Sequence, residues 1–238
     1  MAREKKTSGS PATRRELKVK VKTARGRKLS STRWLQRQLN DPYVLEAKRL
    51  GLRSRSAFKL MEVDDKYSVL ANGARVVDLG AAPGGWSQVA AERIGADKGN
   101  GVVVAIDIHD IDPIPGVTFL HMDFYDDDAP DRLTEALDGP ADFVMSDMAA
   151  HASGHRQTDH MKIMALCEAA LDFACDVLRP GGGFLAKVLR GGTEHELLSE
   201  VKRNFKSVRH FKPESSRADS AELYLLATGF KGDNSDTQ

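Results

Sequence analysis

The chain has 238 residues, 41% of them hydrophobic, and a formal net charge of +1. That is enough apolar sequence for a sizeable core, and it excludes a fibrous or wholly disordered protein. No apolar run is long enough to span a membrane and no secretory signal follows the first basic residues, so we expect a cytoplasmic protein that is neither exported nor inserted.

Charge is distributed unevenly along the chain. Residues 1–37 hold 13 Lys and Arg but only two Glu, so the remaining 201 residues carry a net charge of about −10. Up to Ser31 the sequence has no apolar periodicity, and we predict that residues 1–31 form a basic, disordered arm. Because the arm has almost no aromatic residues, neutralising nucleic-acid phosphates is the sharper interpretation of its charge, and a solvated solubility tail is the alternative.

A single folded domain is predicted over residues 32–238, with a flexible tail from about residue 232. Its first part, Arg33 to Tyr67, has the pattern of two or three short helices, with a start signal at Asp41 and Pro42 and a stop at Gly51. Positive charge continues onto these helices at Arg49, Arg53, Arg55 and Lys59.

From Arg75 onwards, strand patterns alternate with helix patterns. The predicted strands are 75–80, 101–107, 117–123, 141–147, 182–189, 207–212 and 222–230. The predicted helices are Gly84–Ile94, Ala129–Leu137, Thr158–Leu178 and Thr193–Asn204. This alternation predicts an α/β fold with a mostly parallel seven-stranded sheet, helices on both faces and, because the last two strands lack a helical connection, an antiparallel hairpin at one edge.

Acidic residues follow the strands at the edge where such sheets bind ligands. Asp78, Asp107, Asp123 and Asp147 stand at the ends of the first four predicted strands. Ligands of doubly wound sheets lie beyond the carboxyl ends of the strands, so these carboxylates are candidates for ligand binding. Capping of turns is the alternative for each of them individually.

The turn after the first strand reads "GAAPGGW", and it departs from both common phosphate-binding patterns. It is neither G-x-G-x-x-G nor G-x-x-x-x-G-K-[ST], because a proline and Trp86 stand at critical positions. A small adenosyl ligand with an amino-acid end fits better, since Gly80, Gly84 and Gly85 permit a close approach of the backbone. Asp107 would suit ribose hydroxyls, although it would equally suit a nicotinamide dinucleotide.

The remaining acids complete that ligand. Asp123 can accept from an adenine amino group and Asp147 can face the ammonium of an amino-acid end. S-adenosylmethionine combines all three parts, so the residues favour it as the cofactor.

Five blocks then carry a resemblance to a known family: "RSRSAFKL", "VVDLGAAPGGWSQ", "SDMA", "LAKV" and "SSRADSAELYLLATGFK". Over about Thr32 to Lys231 the chain resembles the FtsJ/RlmE family of ribosomal RNA large-subunit methyltransferases, which methylate a uridine 2′-hydroxyl. The resemblance implies a Rossmann-like S-adenosylmethionine-dependent fold, 23S rRNA of the large ribosomal subunit as partner, and no metal. It implies a catalytic tetrad of Lys59, Asp147, Lys187 and Glu222, with Lys187 as proton acceptor. The cofactor residues that it implies are Gly84, Trp86, Asp107, Asp123 and Asp147.

The chemistry explains why such residues are needed. A ribose hydroxyl is a poor nucleophile until its proton is partly removed, so a positioned base is most of what the protein can add. Burial and the nearby charge of Lys59 would favour a neutral Lys187, while Asp147 and Glu222 orient it and balance charge. The alternative is a structural Lys187 that reaches out from a strand end and pairs with Asp147.

Other interpretations stay open. The loop after Asp147 reads "MAAHASGHRQTDH", where many bacterial members have "MAPN", so Ala150 and His151 leave the shape of this loop undefined. Its three histidines are better explained as loop or RNA-contacting residues than as metal ligands. Alternative functions are methylation of tRNA or another RNA, and a non-catalytic RNA-binding assembly factor; a dehydrogenase lacks its fingerprint. Nothing in the sequence favours more than a monomer.

Overall fold

The computed structural model describes residues 19–21, 26, 28–150, 153–190 and 194–232. The chain divides into two compact units, one that ends at Gly51 and another that begins at Leu52. The limits expected for the arm, the single domain and the tail stay predictions, because most of the arm and nearly all of the tail lie outside the described residues. None of the described helices is both long and apolar enough to cross a membrane.

The first unit contains two helices. Helix α1 spans Leu29–Leu39 and helix α2 spans Pro42–Arg49. The predicted start signal of α2 is confirmed, since the Asp41 side chain accepts the backbone N–H of Tyr43 at 3.1 Å. A proline can occupy the next position because the first backbone nitrogens of a helix have no partner within it.

Helix α1 begins earlier than the sequence predicts. Thr32 donates its backbone N–H to Lys28 O at 3.0 Å, so it already belongs to the first turn. A segment of the predicted arm also contacts this helix. The amide of Val19 donates to Asn40 at 2.8 Å, and its carbonyl accepts from the Asn40 amide at 2.9 Å.

The second unit contains the remaining helices and all strands. The helices are α3 (Ala57–Tyr67), α4 (Gly85–Ile94), a short 3₁₀ turn (Ala96–Lys98), α5 (Ala129–Leu137), α6 (Arg156–Val177) and α7 (Glu194–Asn204). The strands are β1 (Arg75–Leu79), β2 (Val102–Asp107), β3 (Val117–His121), β4 (Ala141–Ser146), β5 (Leu178–Leu189), β6 (Phe205–Phe211) and β7 (Glu222–Phe230).

The strands form one mixed sheet in the order β3-β2-β1-β4-β5-β7-β6. Strands β1 to β5 are parallel to their neighbours within that set. Strand β7 runs antiparallel to both β5 and β6, so the predicted antiparallel edge hairpin is confirmed. The chain order changes direction on either side of β1 and β4, which is where this type of sheet opens a ligand crevice.

Helices cover both faces of the sheet, as predicted. On one face, α5, α6 and α7 pack on apolar side chains that include Val104, Val144 and Phe184. On the other face, α3 and α4 pack on Val103 and Phe143. The central strands β1, β2 and β4 therefore bury both of their faces, which explains their nearly continuous apolar runs.

Several element boundaries differ from the predicted ones, among them the starts of β5 and α6. Strand β5 begins four residues before Gly182, because Leu178 pairs with Ala141 and the Arg179 guanidinium binds the carboxylate of Asp142. Helix α6 begins at Arg156, because the carboxylate of Asp159 accepts the backbone N–H of Ser153 at 2.7 Å and fixes the segment that precedes the helix.

Candidate active site

The carboxyl ends of β1, β2 and β4 meet at one edge of the sheet, beside a cavity of about 520 Å³. Its described lining includes Gly80 and Ala82 from the turn after β1. It also includes three carboxylates that follow successive strands, Asp107, Asp123 and Asp147. A cavity of this volume suits a small-molecule ligand. The structure thus brings three of the predicted cofactor residues together.

The turn between β1 and α4 requires glycine where it packs most closely. Gly80 has a φ of +78°, and a Cβ there would lie 2.6 Å from Cγ and 2.8 Å from Cα of Met148. Gly84 has a φ of +97°, and its Cβ would lie 2.9 Å from Cδ1 of Ile114. At Gly80 any side chain would displace backbone, so the cavity keeps a wall that is formed by the main chain itself.

Two predicted cofactor residues stand apart from the cavity. Among the described residues, its lining includes neither Gly84 nor Trp86. The Trp86 side chain is buried in the core, where its indole N–H donates to Ser56 O at 2.9 Å. Its ring lies 5.5 Å from the ring of Tyr224, measured between centroids. The side chain therefore anchors the start of α4, and a role of these two residues in cofactor binding stays a prediction.

Asp107 and Asp123 each use their carboxylates to hold local backbone. Asp107 accepts the amide of Ala82 at 2.9 Å with one oxygen and the amide of His109 at 2.8 Å with the other. Asp123 accepts the amide of Tyr125 at 3.0 Å. Each carboxylate oxygen has two lone pairs, so both groups retain capacity for hydroxyl or amino donors of a ligand.

Asp78 lies beneath the turn rather than in the cavity. It is completely buried, and its Oδ2 accepts the Ser87 hydroxyl at 2.6 Å. Its Oδ1 has no hydrogen-bond partner among the described residues. Burial, opposed by the Ser87 hydrogen bond and assisted by the charges of Asp147 and Asp107, raises the pKa of Asp78 to about 7.

The predicted tetrad assembles beside the cavity because of strand register. Lys187 on β5 is directly opposite Tyr224 on β7, and Leu189 is opposite Glu222. Ser146, the last residue of β4, pairs with Ala186, so the next residue, Asp147, comes level with Lys187.

Lys59 reaches the same place from α3. Its neighbour Leu60 belongs to the apolar cluster that contains Tyr224, so α3 packs on this face of the sheet. All four predicted catalytic residues are therefore neighbours in the fold.

Among the described residues, Asp147 is the one that holds the Lys187 amine. Its Nζ donates to the backbone carbonyl of Asp147 at 2.5 Å and to Oδ1 at 3.1 Å. The side chain of Lys187 is 9% exposed and that of Asp147 is 18% exposed. The pair is therefore mostly removed from water but still reachable by a substrate.

Lys59 and Glu222 form a second ion pair, joined to the first by Tyr224. Lys59 Nζ donates to Glu222 Oε1 and, at 2.9 Å, to the Tyr224 hydroxyl. The Tyr224 oxygen lies 2.7 Å from both Glu222 Oε1 and Asp147 Oδ1. A phenol has one proton, so it can donate to only one of the two carboxylates at a time.

This network keeps Asp147 ionised and Tyr224 neutral. Burial opposes ionisation of Asp147, but the charges of Lys187 and Lys59 and the hydrogen bonds from Tyr224 and Lys187 hold its pKa below the usual value. Burial, together with the charges of Asp147 and Glu222, raises the pKa of Tyr224 well above its usual value. The phenol therefore remains a donor at neutral pH.

Tyr224 is the member of this network that sequence reasoning missed. It is fully buried and lies in the apolar run "LYLLA", where a tyrosine resembles a core residue. The available signal is its spacing from Glu222, since residues two apart on a strand project from the same face of the sheet. A polar tip on a buried tyrosine also requires a partner.

No group of three or more His, Cys, Asp or Glu in the described part of the chain has the geometry of a metal site. Of the three loop histidines, His151 lies outside the described residues. His155 contacts the Thr158 hydroxyl at 3.1 Å, and His160 is buried within α6.

Comparison with known sequences matches this chain to methyltransferases. The sequence pattern of the FtsJ-like methyltransferase family matches residues 52–230. Relatives from Azorhizobium caulinodans and Xanthobacter autotrophicus are 64% and 63% identical, each over 92% of this chain. The alignments cover 91% and 86% of those two proteins, which are both named ribosomal RNA large subunit methyltransferase E.

Comparison with solved structures gives the same picture. A crystal structure from Plasmodium falciparum, named as a ribosomal RNA methyltransferase, superposes with a TM-score of 0.67 at 31% identity. The match covers 76% of this chain and 100% of that chain. The methyltransferase fold that the sequence resemblance implies is confirmed.

Proposed function

Because the chain belongs to the FtsJ-like methyltransferase family, we propose that it methylates the ribose 2′-hydroxyl of a uridine in 23S rRNA of the large ribosomal subunit, using S-adenosylmethionine. The observation that carries the proposal is the Lys187 amine held by two oxygens of Asp147 beside a ligand-sized cavity. The rRNA substrate is supported by the names of the relatives. The choice of uridine rests on the FtsJ/RlmE resemblance.

The cavity fits S-adenosylmethionine by the chemistry of its donors and acceptors. That molecule presents ribose hydroxyls, an adenine amino group and an ammonium, which are all hydrogen-bond donors. The cavity lining provides acceptors for these donors in three carboxylates, Asp107, Asp123 and Asp147. The main-chain wall at Gly80 lets a ligand approach without a side chain between them. When bound, the cofactor supplies a methyl group that is made electrophilic by a sulfonium.

Lys187 is placed to accept the hydroxyl proton. A neutral lysine amine has two N–H bonds and one lone pair. Asp147 accepts from Nζ through its backbone oxygen and through Oδ1, so both N–H bonds have acceptors and the lone pair remains for the substrate hydroxyl. The contacts that orient the amine thereby also select the direction from which a hydroxyl can approach.

The same contacts stabilise the charge that proton transfer creates. Once Lys187 has taken the proton, its ammonium lies 3.1 Å from the ionised Asp147. Charge that develops in a mostly desolvated site is stabilised more strongly than it would be in water. Lys59, paired with Glu222, holds a further positive charge near the position of the hydroxyl without competing for Asp147.

The basic N-terminal segment supports an RNA substrate. It contributes a net charge of about +11 over residues 1–37, against about −10 over the rest. We propose that it binds rRNA phosphates and so holds a monomeric enzyme on its substrate in the cytoplasm.

The test measures labelled methyl transfer from S-adenosylmethionine to intact large subunits, naked rRNA and tRNA. We expect label on large-subunit RNA, in alkali-stable dinucleotides, because a 2′-O-methyl group removes the hydroxyl that alkali uses to cleave the adjacent phosphodiester. Label found only in the mononucleotides that alkali releases would indicate methylation of a base. Label found only on tRNA would show that tRNA, and not rRNA, is the substrate. No label on any of the three RNAs would favour a binding role.

A further inference from the structure

A basic and aromatic patch lies on α3 and β6, outside the catalytic groups. It consists of Lys66, Tyr67, Arg209 and Phe211. Lys66 Nζ is 5.3 Å from the ring centroid of Tyr67 and 5.1 Å from that of Phe211. Arg209 Cζ is 5.7 Å from the Tyr67 centroid, and the two rings meet edge to face at 5.7 Å. Two cations thus share one aromatic ring.

These two cations have no carboxylate partner among the described residues. In the described part of the chain, neither Lys66 nor Arg209 forms an ion pair. Both lie close to the Tyr67 ring, so their charges are separated by no more than about 11 Å. The Debye length is about 8 Å at physiological salt and longer at lower salt, so repulsion between the two charges is strongest at low salt.

The acidic residues of α3 near Lys66 are already engaged. Asp64 and Asp65 both bind Arg93, at 3.0 and 2.8 Å. Glu62 accepts the backbone amides of residues 214 and 215 at 2.6 and 2.9 Å, which ties it to the loop between β6 and β7. The positive charge of the patch is therefore left for a group from outside the protein.

Strand β6 extends the positive charge along the edge of the sheet. It is the outermost strand, and its exposed residues include Lys206, Arg209 and His210. Residues 205–212, "FKSVRHFK", contain no acid. Cations on an edge strand also prevent pairing with the strand of another molecule, but that role needs no contact with the Tyr67 ring of α3.

Two structural relations place the patch close to the catalytic groups, one across the sheet and one along α3. Phe211 pairs directly with Tyr224, so it is one strand spacing, about 4.8 Å, from a residue that contacts the tetrad. Lys66 is two turns from Lys59 on the same helix, about 10.5 Å along the axis. A polynucleotide whose ribose reaches Lys187 has neighbouring nucleotides within this range.

We propose that the patch binds the phosphate backbone of the rRNA strand next to the methylated nucleotide, an inference that rests on the RNA substrate proposed above. Phosphates bound by Lys66 and by Arg209 neutralise both charges and release condensed counterions. The rings hold both cations in position, so little side-chain freedom is lost on binding. Both cations lie over the Tyr67 ring, so the patch recognises phosphate rather than stacked bases.

The test compares the double variant Lys66→Gln, Arg209→Gln with a control that has the same change of charge, Lys98→Gln, Arg132→Gln. Lys98 and Arg132 are both exposed, and Arg132 lies on α5, which packs on the opposite face of the sheet. For each full-length protein, the Kd for a large-subunit rRNA fragment is measured from 0.05 to 0.5 M salt. Thermal unfolding is measured in parallel.

Removing two phosphate contacts should reduce the slope of log Kd against log salt by about 1.4 for single-stranded RNA. The ratio of the variant's Kd to the Kd of the unaltered protein should therefore fall by about 25-fold over this tenfold range of salt. The control should keep the slope of the unaltered protein. The charge-preserving variant Lys66→Arg, Arg209→Lys should keep it as well.

An unchanged slope in the glutamine variant, with or without a lower Tm, would overturn the proposal and leave the patch a packing feature. If the double variant does not fold, the single variant Arg209→Gln is tested instead. The proposal then predicts half the change in slope. A failure of the proposed function is seen separately, because it would appear as an absence of methyl transfer by the unaltered protein.

Discussion

The Tyr224 hydroxyl is the part of the catalytic network whose removal is most informative. In Tyr224→Phe the ring stays in the core between Trp86 and β5, and only one oxygen is lost. That oxygen contacts Asp147 and Glu222 at 2.7 Å and accepts from Lys59 at 2.9 Å. The substitution therefore removes the link between the two ion pairs without breaking either pair and without opening a large cavity.

The expected magnitude follows from what remains. Asp147 keeps its contacts with Lys187, and Glu222 keeps Lys59, so neither carboxylate becomes wholly unpaired. Loss of a buried hydrogen bond to a charged group costs about 1 to 3 kcal/mol. We expect the free energy of unfolding to fall by about that amount. Each 1.4 kcal/mol that is lost specifically from the transition state slows methyl transfer about tenfold, so a 10- to 100-fold slower step is expected.

The assay is the single-turnover rate of methyl transfer at saturating RNA and S-adenosylmethionine, measured from pH 6 to 9. Because burial raises the pKa of Tyr224 well above its usual value, the hydroxyl stays protonated throughout, and the rate deficit should be independent of pH. A variant that transfers methyl within twofold of the unaltered rate would refute the argument that Tyr224 joins the two ion pairs functionally. A change confined to the KM for either substrate would refute it as well.

Three further predictions concern the buried acid, the glycine turn and the arm. Burial raises the pKa of Asp78 to about 7, so the folded protein binds this proton more tightly than the unfolded chain does. The free energy of unfolding of Asp78→Asn, measured in urea, should therefore exceed that of the unaltered protein by an amount that grows as pH rises from about 4 to about 7. The difference should reach up to about 4 kcal/mol. Equal free energies of unfolding at pH 8 would contradict this. Gly80→Ala should lower both the Tm and the affinity for S-adenosylmethionine, because its Cβ would collide with Met148, whereas Gly99→Ala, with a similar φ of +81° and open space, should show only the backbone cost of about 1 to 2 kcal/mol. Removing residues 1–18, with six Lys and Arg, should weaken rRNA binding and flatten its salt dependence while leaving cofactor affinity intact, and an unchanged salt slope would exclude a role for the arm.

The fold could be predicted in detail because its signals are local. Apolar strands that end in an acid, such as β1, β2 and β4, and the intervening helix patterns matched the observed bounds within one or two residues. Boundaries set by tertiary contacts were less predictable. Strand β5 starts early because Arg179 binds Asp142, 37 residues away, and no local pattern reports that pairing.

The candidate site could be predicted in part. The four catalytic residues were predicted from the family resemblance of the blocks that contain them, and the structure places all four together. Tyr224 was missed because an aromatic residue in an apolar strand resembles a core residue, and its spacing from Glu222 is the one local sign that its hydroxyl lies near the tetrad. Trp86, predicted as a cofactor contact, has its side chain in the core, and its role in cofactor binding stays a prediction.

The central claim is that Lys187 accepts the proton of a ribose hydroxyl. The most direct measurement is methyl transfer to large-subunit RNA by Lys187→Met beside Lys98→Met, with RNA and S-adenosylmethionine binding measured on the same preparations. We predict that Lys187→Met binds both ligands but transfers no detectable methyl, while Lys98→Met is unaffected. Transfer by Lys187→Met at a rate near that of the control would contradict the assignment of Lys187 as the base.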